Sequence, residues 1–273
     1  MAQTASTRDK PHRIRTMIRY VVKGEAAIFY PGDREKSYWP PDDHEVSITD
    51  ARPFREELTI ARNGFVLLQH RSAVQDFFDQ RQVDEVLAPE VIDLACRLNG
   101  AVKAFAFGPV ARSDDPDSIH GRLPAFGAHV DYGRRTIEDI TRSTLGDEAD
   151  HWLSKRVVLM NFWRPIATVY RSPLALCDAS TVDPGDLHPS EVRGGLLDPD
   201  RPPLHGFNFS YNPAHRWYYT PRMQPDELYA FKLYDSDAAR PQWTGHTAFV
   251  DPETPPDAPP RQSMEIRTIS FID

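Results

Sequence analysis

Beyond residue 100 this chain is a succession of short β-forming runs cut apart by proline and glycine, a pattern that points to a closed barrel or a two-sheet sandwich. The strongest strand candidates are segments 156–163, 217–219, 228–233, 247–250 and 264–271, with 101–107 as a further run. The chain carries 25 prolines, and their placement between the runs favours loops and short elements over long helices.

The first hundred residues read differently. Residues 1–12 are polar and expected to be disordered. Segments 15–20 and 26–30 read as strands about the Lys23-Gly24-Glu25 turn, and 32–43, with Pro40-Pro41, as a loop. Segments 57–60 and 65–68 flank Arg62-Asn63-Gly64 like the arms of a hairpin. Ser72 is placed to cap a helix over 73–78, and Ala88-Pro89-Glu90 opens another that runs towards Leu98 and ends at Asn99-Gly100. Segment 143–153 suits a helix or an active-site flap. No repeat or linker divides the chain. The expectation is therefore one domain over 1–273, mainly β with flanking helices (α+β), in which 13–100 support a core formed by 101–273.

Charge and composition exclude several classes. The formal net charge of −8 disfavours non-specific attraction to nucleic acid or anionic lipid. Cys96 and Cys177, the two cysteines in the chain, are too few for a disulfide framework or a cysteine-rich metal site. Nothing approaches a membrane-spanning apolar run, and the N-terminus lacks the apolar stretch of a secretory signal. A soluble cytoplasmic protein acting on a small molecule is the expectation, with a homodimer left open.

The chemistry-bearing motif is His129-Val130-Asp131. In an extended strand the side chains at i and i+2 leave the same face, so an imidazole and a carboxylate converge. A second histidine from another strand completes the two-histidine, one-carboxylate face that holds non-haem iron and leaves positions open. Two candidates lie downstream. His246 opens a strand and is followed, across a proline-rich connection, by Arg261-Gln262-Ser263; His215 precedes Arg216-Trp217-Tyr218-Tyr219. If the last two strands are neighbours, His246 and Arg261 point into one cavity. The arginine fork and serine hydroxyl then suit the remote carboxylate of 2-oxoglutarate. His246 is preferred on that ground, with His215 kept as the alternative ligand or a substrate contact. His205, followed by Gly206, reads as a loop residue.

A set of segments carries a family resemblance: Ala128-His129-Val130-Asp131, Asn161-Phe162-Trp163-Arg164-Pro165-Ile166, Pro173 to Asp178, His215 to Tyr219, Phe231 to Ser236, His246 to Pro252 and Pro260 to Arg267. Over roughly residues 100–273 the chain resembles the gibberellin-desaturase-like, CmcJ-like family of small-molecule hydroxylases and desaturases. The resemblance implies a double-stranded β-helix (jelly-roll, cupin-like) core. It also implies iron(II) on His129, Asp131 and His246, with 2-oxoglutarate anchored by Arg261 and Ser263 and dioxygen as the second cosubstrate. It implies secondary-metabolite substrates, some amino-acid-derived, with hydroxylation, desaturation or ring closure as outcomes.

Further candidates follow from position. Asn161 can donate to a carboxylate of cosubstrate or substrate, and Arg164 can anchor an acidic substrate at the cavity mouth. Trp163 suits core packing or a substrate wall. Tyr132 and Arg134 follow the metal pair, where a loop can cover the site. Glu265 and Arg267 share a face opposite Ile266 and read as solvent-facing or mutually paired. Two rival readings remain: a cupin-like module that binds a small carboxylate without turnover, and a metal oxygenase that needs no keto acid.

Overall fold

The computed structural model describes residues 10–273 apart from 32, 34, 116, 119–121 and 195–199; the expected disorder of 1–12 lies largely outside them. In chain order the strands are β1 (Arg13–Val21), β2 (Ala27–Phe29), β3 (Pro41–Asp50), β4 (Phe65–Gln69), β5 (Lys103–Ser113), β6 (His129–Val130) and β7 (Arg156–Pro165). Then follow β8 (Leu174–Cys177), β9 (Leu187–Val192), β10 (Leu204–Phe209), β11 (Trp217–Tyr219), β12 (Glu227–Asp235), β13 (His246–Ala248) and β14 (Gln262–Ile272). They form a nine-stranded sheet ordered β1-β3-β11-β8-β13-β6-β10-β9-β2 and a five-stranded sheet ordered β4-β12-β7-β14-β5. This is a curled, jelly-roll-type β core with helices on its outside.

Two hydrophobic layers explain the arrangement. Between the sheets, Ile48 and Trp217 from the larger pack with Leu159, Phe231 and Ile269 from the smaller. On the other face of the small sheet, Val158, Met160, Phe162 and Ile266 meet Val91 and Leu94 of α2 (Ala88–Asn99), which follows the short α1 (Gln80–Gln82). The small sheet is thus buried on both faces, and its central strands are apolar or polar without regard to solvent. Gly100, at φ +69°, supplies the left-handed residue that ends α2.

Several sequence expectations in the first hundred residues give way. Strands β1 and β2 do not pair with each other about Lys23-Gly24-Glu25; β1 pairs antiparallel with β3, and β2 lies parallel to β9. β3 falls partly in the presumed 32–43 loop, because its alternately exposed side chains carry little apolar signal while nine residues of β1 register against it. Segment 57–60 is a series of turns rather than a strand. Leu58 and Asn63 donate backbone bonds to Phe54 and Thr59, so Leu58 and Ile60 are buried on either side of the exposed Thr59 within turns instead of a strand. No helix forms over 73–78: Ser72 donates to Glu90 instead, and the helical stretch starts later, where Asp79 accepts from the Arg81 amide. His205 and Gly206 belong to β10, not to a loop.

Candidate metal and cosubstrate site

His129 and His246 are direct cross-strand partners on β6 and β13, so register alone puts both imidazoles on one face. Asp131 follows β6 immediately. Its backbone is held by β10, whose Gly206 approaches so closely that a Cβ there would stand 2.4 Å from the Val130 carbonyl; only glycine fits. The candidate ligand atoms of His129, Asp131 and His246 all lie within 4.8 Å of one another. Asp131 Oδ1 is 3.3 Å from His129 Nε2 and 3.8 Å from His246 Nε2. Donors about 2.1 Å from a shared metal stand about 3 Å apart in an octahedron, so modest closure suffices.

The outward nitrogens are fixed. His129 Nδ1 lies 2.8 Å from the Gly127 carbonyl and His246 Nδ1 3.4 Å from that of Thr244. A ring that donates from Nδ1 presents a lone pair at Nε2. Burial, with His129 alongside, lowers the His246 pKa to about 3, so its imidazole is neutral at physiological pH. Burial alone would raise the Asp131 carboxyl; Arg267 and the two histidines outweigh it and hold that group well below the usual carboxylate range.

The condition that β13 and β14 be neighbours is not met: β13 lies in the large sheet and β14 in the small one. Arg261 and Ser263 therefore face the histidines across the sandwich. Arg261 is buried over the Trp163 ring at 5.4 Å, gives Nη1 to the Ser172 carbonyl at 2.5 Å, and has no ion pair among the described residues. Burial, reinforced by Arg112, lowers its pKa to about 9. Its Nε, the Ser263 hydroxyl and both amide atoms of Asn161 are buried without a hydrogen-bond partner. Asn161 is paired across the ladder with Arg267 on one side and Phe231 on the other, and Phe231 packs on His246 at 4.9 Å. Buried polar atoms left open are uncommon; Ser263 and Asn161 lie on the adjacent strands β14 and β7, and Arg261 immediately precedes β14. A dicarboxylate keto acid supplies acceptors for the arginine, the serine and the asparagine NH2, so the residues present fit both iron(II) and 2-oxoglutarate.

Other candidates fall elsewhere. Arg164 sits on the opposite face of β7 from Trp163. It donates to the His70 and Pro225 carbonyls and lines a hollow of about 320 Å³ with Arg71 and Phe77, away from the metal cluster. Arg164→Met should therefore lower thermal stability while leaving 2-oxoglutarate affinity at the wild-type value in an anaerobic titration. Arg134 is an exposed residue at the start of α3 (Arg134–Leu145), paired with Glu138. His215 is buried 3.2 Å from Asp186, between Tyr20 and Phe209, and is not part of the metal cluster. Tyr132 does lie at the site, its ring 5.5 Å from the Arg267 guanidinium.

Glu265 and Arg267, read as solvent-facing or paired, are paired but buried. Arg267 Nη2 lies 2.9 Å from Asp131 Oδ2 and 2.8 Å from Glu265 Oε1, and Arg112 Nη2 lies 2.8 Å from the same Glu265 oxygen. Burial would raise the Glu265 carboxyl; Arg112 and Arg267 bring it down to about 2. A depressed carboxyl stabilises the fold above its unfolded pKa and loses that contribution as pH falls through the folded one. Glu265→Gln should then destabilise the protein by about 3 kcal/mol at neutral pH, since the half-buried Arg112 loses its carboxylate and the buried Arg267 is left with Asp131 as its only carboxylate partner among the described residues. It should also flatten the acid limb of the stability curve between pH 4.5 and about 2; thermal melts across that range read both effects.

Comparison with known proteins agrees with this geometry. Residues 18–271 match the family described as oxidoreductase/YMDC permease-like domain; among the described residues no helix is long and apolar enough to cross a membrane. The Fe(II)/2-oxoglutarate-dependent dioxygenase nvfI of Aspergillus novofumigatus is 31% identical over 88% of this chain and 87% of its own length. The hydroxylase/desaturase efuI of Hormonema carpetanum is 29% identical over 83% of each chain. The solved structure of the iron and alpha-ketoglutarate-dependent endoperoxidase NvfI superposes with a TM-score of 0.81 at 27% identity, covering 95% of this chain and 98% of that one. The chain belongs to this family of non-haem iron(II)/2-oxoglutarate-dependent oxygenases.

Proposed function

We propose that this oxygenase acts on a small organic metabolite bound between the two sheets, with iron(II) on His129, Asp131 and His246. In the same reading, 2-oxoglutarate is anchored by Arg261 and Ser263, with Asn161 donating its NH2 to the cosubstrate's metal-proximal end. One observation carries it: two imidazole Nε2 atoms and one carboxylate oxygen converge opposite a buried arginine that forms no ion pair among the described residues. When bound, iron(II) with 2-oxoglutarate and dioxygen supplies an oxidant that removes hydrogen from a C–H bond, while the keto acid leaves as succinate and carbon dioxide.

The chain's own groups do the rest. Arg261 meets the remote carboxylate in a dry setting where a charge-assisted pair is strong. Trp163 forms the floor beneath that arginine, and Tyr132 covers Arg267 beside the metal ligands. Asp131 and the histidines leave room for the cosubstrate and dioxygen rather than closing the coordination sphere. We place the chain in the gibberellin-desaturase-like, CmcJ-like branch on the segments quoted above, with hydroxylation, desaturation and ring closure as candidate outcomes.

The test is an anaerobic titration of iron(II)-loaded protein with 2-oxoglutarate, watching for the visible charge-transfer band of the chelate. A saturable band, followed by succinate release on admitting air, supports the reading. A folded, iron-loaded protein with no band overturns it and favours a carboxylate-binding module or an oxygenase that needs no keto acid.

A further inference from the structure

The two oxygens of Asp131 have different surroundings. Oδ1 is the one turned to both imidazoles, at 3.3 Å and 3.8 Å. Oδ2 receives two donors from a single guanidinium, Arg267 Nε at 3.1 Å and Nη2 at 2.9 Å. That guanidinium is itself fixed on its other sides. Nη2 also reaches Glu265, Nη1 gives to the Gly108 carbonyl at 2.9 Å, and Arg112 holds Glu265 from beyond.

The backbone is shaped for this contact. Between Glu265 and Arg267, β14 advances two residues while its partner β5 advances three, from Val110 to Phe107. The extra residue is a bulge at Gly108-Pro109, where Gly108 takes φ +58°. Proline cannot donate to the ladder and glycine accepts the left-handed conformation. The turned carbonyl is the one that receives Arg267.

We infer that Arg267 is a positioning residue that reserves Asp131 Oδ2 and so restricts the carboxylate to one metal-facing oxygen, keeping a coordination position free for 2-oxoglutarate. A carboxylate released from this grip can turn both oxygens to the metal and occupy the position the keto acid needs. The inference rests on the metal-site reading above.

The experiment compares wild type with Arg267→Met and Arg267→Lys, the latter keeping the charge and losing the two-pronged contact. Iron(II) affinity, 2-oxoglutarate affinity by the anaerobic band, and the visible spectrum of the Co(II)-substituted protein before keto acid is added are measured on each. The expected result is iron(II) affinity within about threefold of wild type and a 2-oxoglutarate Kd raised by about tenfold or more, the scale on which outer partners of metal ligands act. The Co(II) bands should already differ before keto acid, and Arg267→Lys should follow Arg267→Met. Joint loss of iron and 2-oxoglutarate affinity overturns the inference in favour of a purely structural ion pair. A lysine variant at wild-type values overturns it too, since charge alone would then suffice. If wild type gives the band and both variants match it, this inference falls and the metal-site reading stands. If wild type gives no band, both fall.

Discussion

In His246→Ala, the charge-transfer band that iron(II) and 2-oxoglutarate give with wild type should vanish, and succinate production should fall by at least about a thousandfold. His246 is the one candidate ligand contributed by β13, and among the described residues no further histidine belongs to the cluster to replace it. A metal centre contributes several kcal/mol of transition-state stabilisation, and each 1.36 kcal/mol is about tenfold in rate. His215→Ala is the matched control. That ring lies against Asp186 and Tyr20, so its loss should lower stability and spare the band. A band kept in His246→Ala and lost in His215→Ala would move the metal to the other histidine and dismantle the site described here.

Arg261→Met should separate the two ligands from each other. Iron(II) affinity stays at its wild-type value, because Arg261 faces the cluster from the opposite sheet, while the 2-oxoglutarate Kd rises by about a hundredfold. That corresponds to about 3 kcal/mol, the scale of hydrogen bonds to a charged group lost in a buried setting. The unpaired Nε of this buried arginine, and a side chain whose one hydrogen bond among the described residues is to the Ser172 carbonyl, are the reason to expect so large an effect. An unchanged 2-oxoglutarate Kd would remove Arg261 from the cosubstrate site and leave it a packing partner of Trp163.

The metal motif was legible in the sequence because two-residue strand periodicity is a local property: His129 and Asp131 need only an extended backbone to converge. Several strands of the core, such as 156–163 and 264–271, were legible as runs of β-forming residues, whereas β8, β9 and β10 were not read as strands. What the sequence concealed was which way each strand of the small sheet faces. In β7 and β14 nearly every side chain is buried, on one face by the large sheet and on the other by α2. Alternation therefore separates the two faces without telling which of them lines the cavity. Ile266 marks the face beneath the helix, and Glu265 and Arg267 mark the face towards the metal, the reverse of the usual inference. The same ambiguity hid that Arg164 lies on the face away from the metal cluster. The Gly108-Pro109 pair inside β5 was the available signal for Arg267, since such a pair within a strand marks a bulge, and bulges re-aim neighbouring groups. The sheet to which His246 belongs depends on long-range pairing that no local pattern encodes.

That β13 and β14 belong to different sheets has a consequence for selectivity. On the proposed anchoring, with its keto end on the large-sheet side and its remote end on Arg261, the cosubstrate would span the sandwich like a gauge block. The space between the sheets is set by the side chains packed there, Trp163 and Phe231 among them. A keto diacid one methylene shorter leaves one end unmet, and the buried donors at that end then go without acceptors. On that proposal, choice of diacid length would be written into the thickness of the hydrophobic core as much as into the groups that touch the ligand.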